Sequence, residues 1–440
     1  MKSWLLRFFL LLSLLAVPAP LLAAVHLTPP LTADKGDTAW MLISTILVLL
    51  MVLPGLALFY GGLVRAKNML SILSQLLGIT AVAILVWVAW GYSLAFGGSG
   101  PLIGGLDRIF LGGVDGASLV PTYSEGVGLP EFVFAAFQMT FAAVTACLIV
   151  GALAERVKFP AILLFTLLWL TIVYAPIAHM VWSPGGLIFA MGAVDFAGGT
   201  VVHVNAGIAG LVGVFFAGKR IGFLKEASPP HSMALSMTGF GLLWAGWFGF
   251  NAGSALEASG IAGIAMINTF VAPAAGVLAW MAAERIVSGK PSLLGGASGG
   301  VAGLVAITPA AGSAGPFGAI LLAAAASILC YWFVASVKNR LRLDDTLDVF
   351  GIHGVAGIFG SIGTAIVAAP GLGGHGGADF AVVPQLLVQI EAVAIAILWS
   401  GAGSALCFWI VRRAVGLRVS RDEEREGLDI ADHGERAYNY

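Results

Sequence analysis

Two histidines lie at the centres of long apolar, glycine-rich segments. The first segment begins at Asp195 and reads Asp-Phe-Ala-Gly-Gly-Thr-Val-Val-His-Val-Asn-Ala-Gly, with His203 as its histidine. The second begins at Asp348 and reads Asp-Val-Phe-Gly-Ile-His-Gly-Val-Ala-Gly, with His353 as its histidine. Aligned on the histidine, both read His-x-x-Ala-Gly-Ile-x-Gly-x-x-Gly. A polar residue repeated in two hydrophobic segments of a membrane protein marks a candidate functional site.

A neutral imidazole carries one hydrogen-bond donor and one acceptor. A single buried histidine is accounted for by a bond to a helix carbonyl. Two histidines at equivalent positions favour a face-to-face pair that shares one proton. Low dielectric disfavours imidazolium, so we expect neutral rings that relay a proton and suit a small polar solute. Zinc also uses paired histidines, but no third ligand lies nearby in the sequence, and we expect no metal or cofactor.

Asp195 lies eight residues before His203. An aspartate there has two readings: it caps backbone N–H groups, or it contacts a ligand and adds negative potential at an outer vestibule. Asp348, shortly before His353, has the same two readings, and the sequence leaves both open.

Aromatic residues form a second candidate site. Packing or an interfacial belt explains each of them singly. Together with Ser254 they would form a cation–π cup, worth roughly 1–2 kcal/mol per well-placed ring. They are Phe137 and Phe141, Tyr174 and Trp182, and Trp247, Phe248 and Phe250.

The elements that must position these residues follow from composition. The chain has 440 residues, of which 59% are hydrophobic and 10% charged, whereas soluble domains carry about 25% charged residues. The composition therefore predicts an all-α polytopic protein of the lipid bilayer. No nucleophile–base pair is visible, so we do not expect an enzyme. We also expect no nucleic-acid partner.

Residues 1–24 have the pattern of a secretory signal peptide, with an uncleaved first helix as the alternative. A segment outside the cytoplasm, 25–38, follows. Eleven apolar runs then predict spans at 39–61, 70–95, 129–152, 159–180, 200–217, 234–254, 261–284, 293–309, 316–337, 350–369 and 384–411.

Basic residues occupy every second connection between these spans. The positive-inside rule places those connections in the cytoplasm. The mature N-terminus is then outside and the tail, 413–440, is cytoplasmic.

His203 falls on the fifth predicted span and His353 on the tenth, which gives the two halves opposite orientations. The transmembrane domain, 39–412, is thus predicted to hold an inverted repeat, 39–217 and 234–369, with its site near the midplane. The eleventh span, 384–411, is left over and is expected at the periphery.

The histidine segments resemble the ammonium transporters of the Amt/Mep/Rh group, and the bacterial Amt branch most of all. Three further motifs support the resemblance, which runs from about Asp37 to the C-terminus. They are Trp-Phe-Gly-Phe-Asn-Ala-Gly-Ser ending at Ser254, Pro-Gly-Leu-Ala-Leu-Phe-Tyr-Gly-Gly from Pro54, and Gly-Ala-Leu-Ala-Glu-Arg from Gly151.

The resemblance implies a homotrimer in the bacterial inner membrane with one pore per subunit. It assigns Phe141, Trp182 and Ser254 to ammonium recruitment, with Asp195 close by. It assigns Phe141 and Phe250 to a gate of stacked rings. It makes His203 and His353 the conduction path for ammonia, with the proton crossing separately.

The tail resembles family tails that couple the subunits and meet a PII-type signalling protein. The segment 182–195 varies in length and composition within the family, and the outer loop 97–127 is equally unconstrained, so the resemblance implies no particular affinity. Two alternatives stay open: an ammonium sensor that signals to a PII-type protein, and a passive channel for another small neutral solute.

Overall fold

The computed structural model describes residues 30–377 and 379–438. Eleven helices in this part of the chain are long and apolar enough to cross a membrane, which confirms the predicted all-α multi-pass architecture. They are α1 Lys35–Leu63, α2 Ala66–Phe96, α3 Glu131–Leu153, α4 Phe159–Ala190, α5 Gly199–Ala217, α6 Met233–Gly253, α7 Gly260–Ser288, α8 Leu293–Ala310, α9 Pro316–Arg340, α10 Phe350–Val367 and α11 Val382–Ala414. The signal peptide predicted at residues 1–24 lies outside the described residues.

The predicted spans differ from the helices mainly at their ends. The helical part of α4 runs to Trp182 and is followed by a turn and the short helical stretch Leu187–Ala190. Helix α11 has 33 residues, and at 1.5 Å per residue it is longer than a bilayer core of about 30 Å. Apolar run length alone does not show where a helix extends beyond the lipid.

A small sheet covers one end of the bundle. Strands β1 Thr32–Ala33, β2 Leu119–Pro121 and β3 Val127–Pro130 pair in the order β1-β3-β2. β1 runs parallel to β3, and β2 runs antiparallel to it. The end of the bundle that carries this sheet is called the vestibule face below.

The opposite end carries the residues that follow α11. Two short helices, α12 Arg421–Glu426 and α13 Leu428–His433, pack there against the start of α2. The backbone N–H of Leu428 donates to Asn68 Oδ1 at 2.9 Å, and that of Ser71 donates to Asp429 at 2.8 Å. We call this end the tail face.

Both histidine helices begin with a π-helical turn. These turns are Gly199–Val204 in α5 and Phe350–Gly354 in α10, so each contains its histidine. A π-turn widens the helix locally, and such turns are frequent at functional sites. Four further π-turns occur in the described residues, and one of them, Met51–Leu56, contains Pro54, whose missing N–H disrupts the regular ladder.

Burial separates central helices from peripheral ones. In α5 and α8, 78% and 83% of the most apolar stretch is buried inside the chain, compared with 22% in α11. Helix α11 is therefore peripheral, yet it packs against α4, α5 and α10.

Candidate functional site

The two histidine helices cross at glycines. A Cβ placed on Gly207 would lie 2.4 Å from the backbone of Gly354, and one on Gly357 would lie 3.0 Å from His203 Cβ. Gly207 and Gly357 occupy matched positions, each four residues after its histidine. A larger residue at position 207 would therefore push α5 and α10 apart, and one at position 357 would require the backbone beside His203 to shift by a few tenths of an ångström.

This close crossing brings the two imidazoles together. His203 Nδ1 and His353 Nδ1 lie 3.3 Å apart, and the ring centroids are 5.3 Å apart with 24° between the planes. Both side chains are buried. One of the two Nδ1 atoms must carry the proton that they share, so the other nitrogen of each ring has the opposite donor or acceptor character.

An aspartate caps the start of α5. Asp195 Oδ1 accepts hydrogen bonds from the backbone N–H groups of Gly198 and Gly199, at 2.8 and 2.5 Å. Its Oδ2 accepts from the N–H of Thr200 at 2.8 Å, from that of Val201 at 3.2 Å and from the Thr200 hydroxyl. Both carboxylate oxygens of Asp195 are thus bound to the start of the helix, which is the geometry of a helix N-cap.

The equivalent cap on α10 is made by Asp345. Its Oδ1 accepts from Val349 N–H at 3.0 Å, and its Oδ2 accepts from Phe350 and Gly351 N–H at 2.8 and 3.2 Å. Asp348, the aspartate singled out in the sequence, instead forms an ion pair with Lys338. Asp345 precedes His353 by eight residues, just as Asp195 precedes His203. Extending the alignment of the two segments upstream would have found it.

Two phenylalanine rings lie between the vestibule face and the histidines. Phe141 from α3 and Phe250 from α6 stack with centroids 4.2 Å apart and 16° between their planes. Trp182 contacts Phe141 edge-on at 5.8 Å, and its indole N–H donates to the Asp195 carbonyl at 2.9 Å. Sequence separation hides this arrangement, because the three rings come from α3, α4 and α6.

A cavity of about 680 Å³ opens at the vestibule face and ends at Phe141. Trp182, Asp195 and Ser254 also line it. The Ser254 hydroxyl donates to the Phe250 carbonyl at 2.8 Å, which leaves its oxygen lone pairs as acceptors. An aromatic floor with a hydroxyl acceptor is suited to a small cation.

The vestibule wall contains a carboxylate that sequence reasoning missed. Glu131, the first residue of α3, accepts from the Tyr92 hydroxyl at 3.0 Å and lies 3.6 Å from Arg108 Nε. It lines the same cavity as Ser254. Glu131 lies near one end of a predicted span, and nothing in the sequence there indicates that it lines a cavity together with Ser254.

Beyond the stacked rings the space narrows to a cavity of about 10 Å³, near the minimum that one water molecule needs. It is bounded by Phe250, Trp247 and the two histidines. Trp247 stacks on His203 with centroids 5.5 Å apart. No acidic side chain lines this cavity among the described residues.

Some aromatic residues of the predicted cup lie elsewhere. Phe248 packs against Phe270 on the opposite side of α6, with centroids 4.3 Å apart. Tyr174 packs against Trp87 and Trp169. Phe137 does line the vestibule, next to Phe141.

A network of buried ions lies at the tail face. Arg220 pairs with Asp344 at 2.8 Å and with Glu155 at 3.3 Å, and Arg65 pairs with Glu155 at 2.6 Å. Burial raises the pKa of the Glu155 and Asp344 carboxyls, but the arginines outweigh it and lower both below their ordinary values. For Asp345, burial and then the Asp348 charge raise the pKa to about 6.

No group of three histidine, cysteine, aspartate or glutamate side chains within residues 30–377 and 379–438 is placed to hold a metal ion. Helices, buried histidines and an aromatic vestibule together define a multi-pass membrane protein with a polar site inside its helical bundle.

Comparison with known proteins agrees with this class. The model of the Ammonium Transporter Family matches residues 39–438. The ammonium transporter of Aquifex aeolicus is 48% identical over 409 residues, covering 92% of this chain and 94% of that protein. The one from Bacillus subtilis is 44% identical, covering 92% and 99%.

Solved structures give the same result. A structure described as a Sensor Amt Protein superposes with a TM-score of 0.83 at 30% identity, covering 91% of this chain and 98% of that one. Saccharomyces cerevisiae Mep2 superposes with a TM-score of 0.80 at 35% identity, covering 88% of each chain. The chain belongs to the ammonium transporter family, and it is a transporter and not an enzyme.

Proposed function

We propose that the protein recruits ammonium at Phe141, Trp182 and Ser254, removes a proton at the Phe141–Phe250 gate and conducts ammonia past His203 and His353. The observation that carries this proposal is the position of the stacked rings directly between the wide vestibule and the narrow histidine cavity.

The two cavities favour different forms of the solute. In the vestibule, aromatic faces and the Ser254 oxygen stabilise a cation. In the histidine cavity, a cation would lose its water and meet no carboxylate among the described residues, at a cost of several kcal/mol. Neutral ammonia avoids that cost, and the paired imidazoles provide donors and acceptors for it and for the separated proton.

The wider arrangement is part of the proposal. The vestibule face lies outside the bacterial inner membrane and the tail face lies in the cytoplasm, as the loop charges predict. Residues 39–217 and 234–369 form the inverted repeat. The contacts of Gly207 and Gly357 support the repeat, because they match. Gly207 of α5 contacts α10 next to His353, and Gly357 of α10 contacts α5 at His203.

Assembly and partners are inferred from family membership. Three copies of the chain form a homotrimer, which native mass spectrometry would detect as a single species of three subunits. A PII-type protein binds the tail face, where Asp422 and Arg425 expose 94% and 65% of their side chains. Addition of such a protein should then reduce transport, whereas loss of the tail should remove that effect.

Currents evoked by an ammonium jump on proteoliposomes test the transport proposal. The expected result is an ammonium-dependent current in vesicles that contain the protein, together with uptake of radiolabelled methylammonium. Absence of both, with intact folded protein, would contradict transport and favour a sensor. Equal uptake of unrelated neutral solutes would favour a passive channel.

A further inference from the structure

We infer that Gln389 of the peripheral helix α11 is a positioning residue of the recruitment site, because it holds the backbone segment that presents Asp195 and Trp182. The inference rests on the proposed recruitment role of those two residues. It gives α11, which was left over from the repeat, a direct part in the site.

Gln389 is buried, and its side-chain amide makes all four hydrogen bonds that it can form. Its Oε1 accepts from the backbone N–H of Val194 at 2.7 Å and from Gln385 Nε2 at 3.2 Å. Its Nε2 donates to the carbonyls of Val194 and Ser361, at 2.8 and 2.7 Å. One side chain thus joins α11 to the segment before α5 and to α10.

The position requires an amide. Glutamate has two acceptor oxygens, so a carboxylate there would face the carbonyls of Val194 and Ser361 without a donor. Methionine has a similar length and would leave both backbone groups of Val194 unpaired, and an unpaired buried polar group destabilises the fold. Gln389 therefore fixes the position of Val194 in a way that neither replacement can.

The residues after Val194 are held from other sides. The Asp195 carbonyl accepts the indole N–H of Trp182 at 2.9 Å, and the N–H of Phe196 donates to the carbonyl of Pro309 at 3.1 Å. Three consecutive residues are thus tied to α11, α4 and the end of α8. When Val194 is no longer held by Gln389, the Asp195 carbonyl and the Trp182 ring are free to shift at the floor of the vestibule.

The test compares Gln389→Met with a matched control, Glu391→Met, which changes an exposed residue two positions along the same helix. Hydrogen–deuterium exchange should rise in residues 192–201 for Gln389→Met and stay at the wild-type level for Glu391→Met. On proteoliposomes, the half-saturating ammonium concentration should rise about tenfold for Gln389→Met, equivalent to about 1.4 kcal/mol of binding free energy, with the maximal current much less affected.

A pH profile separates positioning from a general structural role. In Gln389→Glu, protonation of the carboxyl restores one donor, so its ammonium affinity relative to wild type at the same pH should recover as the pH falls from 8 to 5.5. A purely structural defect would reduce the amount of active protein at every pH and leave the half-saturating concentration unchanged.

Unchanged exchange in residues 192–201, or raised exchange with an unchanged half-saturating concentration, would overturn the inference. Failure of the wild-type protein to give any ammonium current would contradict the proposed function instead. In that case the exchange comparison still decides whether Gln389 holds this segment.

Discussion

The chemistry of the site depends on single atoms of a few side chains. The Nδ1 atoms of His203 and His353 lie 3.3 Å apart and share one proton. His203 Nε2 is buried without a hydrogen-bond partner among the described residues, and His203 borders the narrow cavity. A buried nitrogen that makes no hydrogen bond is expected where a polar solute passes, because the solute then supplies the hydrogen-bond partner.

We expect His203→Ala to abolish proton-coupled ammonium current, because the substitution removes one of the two ring nitrogens that share the proton. Recordings on supported membranes would measure this directly. The control is His375→Ala, which alters an exposed histidine on the vestibule side and should keep wild-type currents. Unchanged current and selectivity in His203→Ala would refute the relay.

Ser254→Ala should weaken recruitment without closing the path. A hydrogen bond to a charged group contributes about 1.5–3 kcal/mol, so the half-saturating ammonium concentration should rise at least about tenfold. The maximal current should stay close to that of wild type, since the change affects binding outside the gate. Ser313→Ala, between α8 and α9, is the matched control, and an equal shift in both variants would argue against a specific role of Ser254.

Each histidine reaches its place through the start of its helix. Helices α5 and α10 both begin with a π-turn capped by an aspartate eight residues before the histidine. The caps differ in the number of donors they satisfy. Asp195 accepts five hydrogen bonds and Asp345 accepts three.

Asp195→Asn should therefore be more damaging than Asp345→Asn. An amide at position 195 places its own N–H groups against backbone donors, which we expect to cost about 2 kcal/mol. At position 345 an amide meets three donors instead of five, and burial and Asp348 raise the pKa of the Asp345 carboxyl to about 6, so less charge is lost there at pH 6. Thermal unfolding in detergent at pH 6 would compare the two variants. Equal losses of stability would contradict this ranking.

The whole molecule is joined at the tail face by buried charges from distant parts of the chain. Arg220 follows α5, Glu155 follows α3 and Asp344 precedes α10, so the network ties both halves together. The tail joins it, because Glu424 of α12 pairs with Arg418 at 2.7 Å and accepts from the N–H of Ile221 at 2.7 Å.

Arg220→Gln should destabilise the protein by about 3 kcal/mol at pH 7, because it leaves buried carboxylates without their partner. The lowered pKa values of Glu155 and Asp344 mean that the wild-type pairs stabilise the fold above about pH 4 and lose that effect as the pH falls further. The deficit of the variant should consequently shrink in acid.

Thermal unfolding at pH 7 and at pH 3, below the range in which the pairs stabilise the fold, would measure this trend. Arg421→Gln, at an exposed position of the tail, is the control and should leave the unfolding temperature unchanged at both values. A deficit that is independent of pH would show that the pairing of Arg220 with the carboxylates is not its cause.

The sequence by itself determined the membrane class, the number of spans and the two histidines, because apolar run length and a repeated polar residue are local properties. It also named Phe141, Trp182, Ser254 and Phe250, through resemblance to a family. It did not separate Phe248, which faces outward, from its neighbour Phe250, since both lie in one aromatic run.

Only the tertiary structure decided which residues meet. The crossing at Gly207 and Gly357 sets the distance between the histidines, and no local pattern encodes that distance. The roles of Asp345 in place of Asp348, and of Gln389 on the peripheral helix, depend on hydrogen bonds to backbone groups. Nearly every residue carries the same backbone groups. The sequence therefore does not indicate which of them a side chain will reach, and only the packing of the helices decides it.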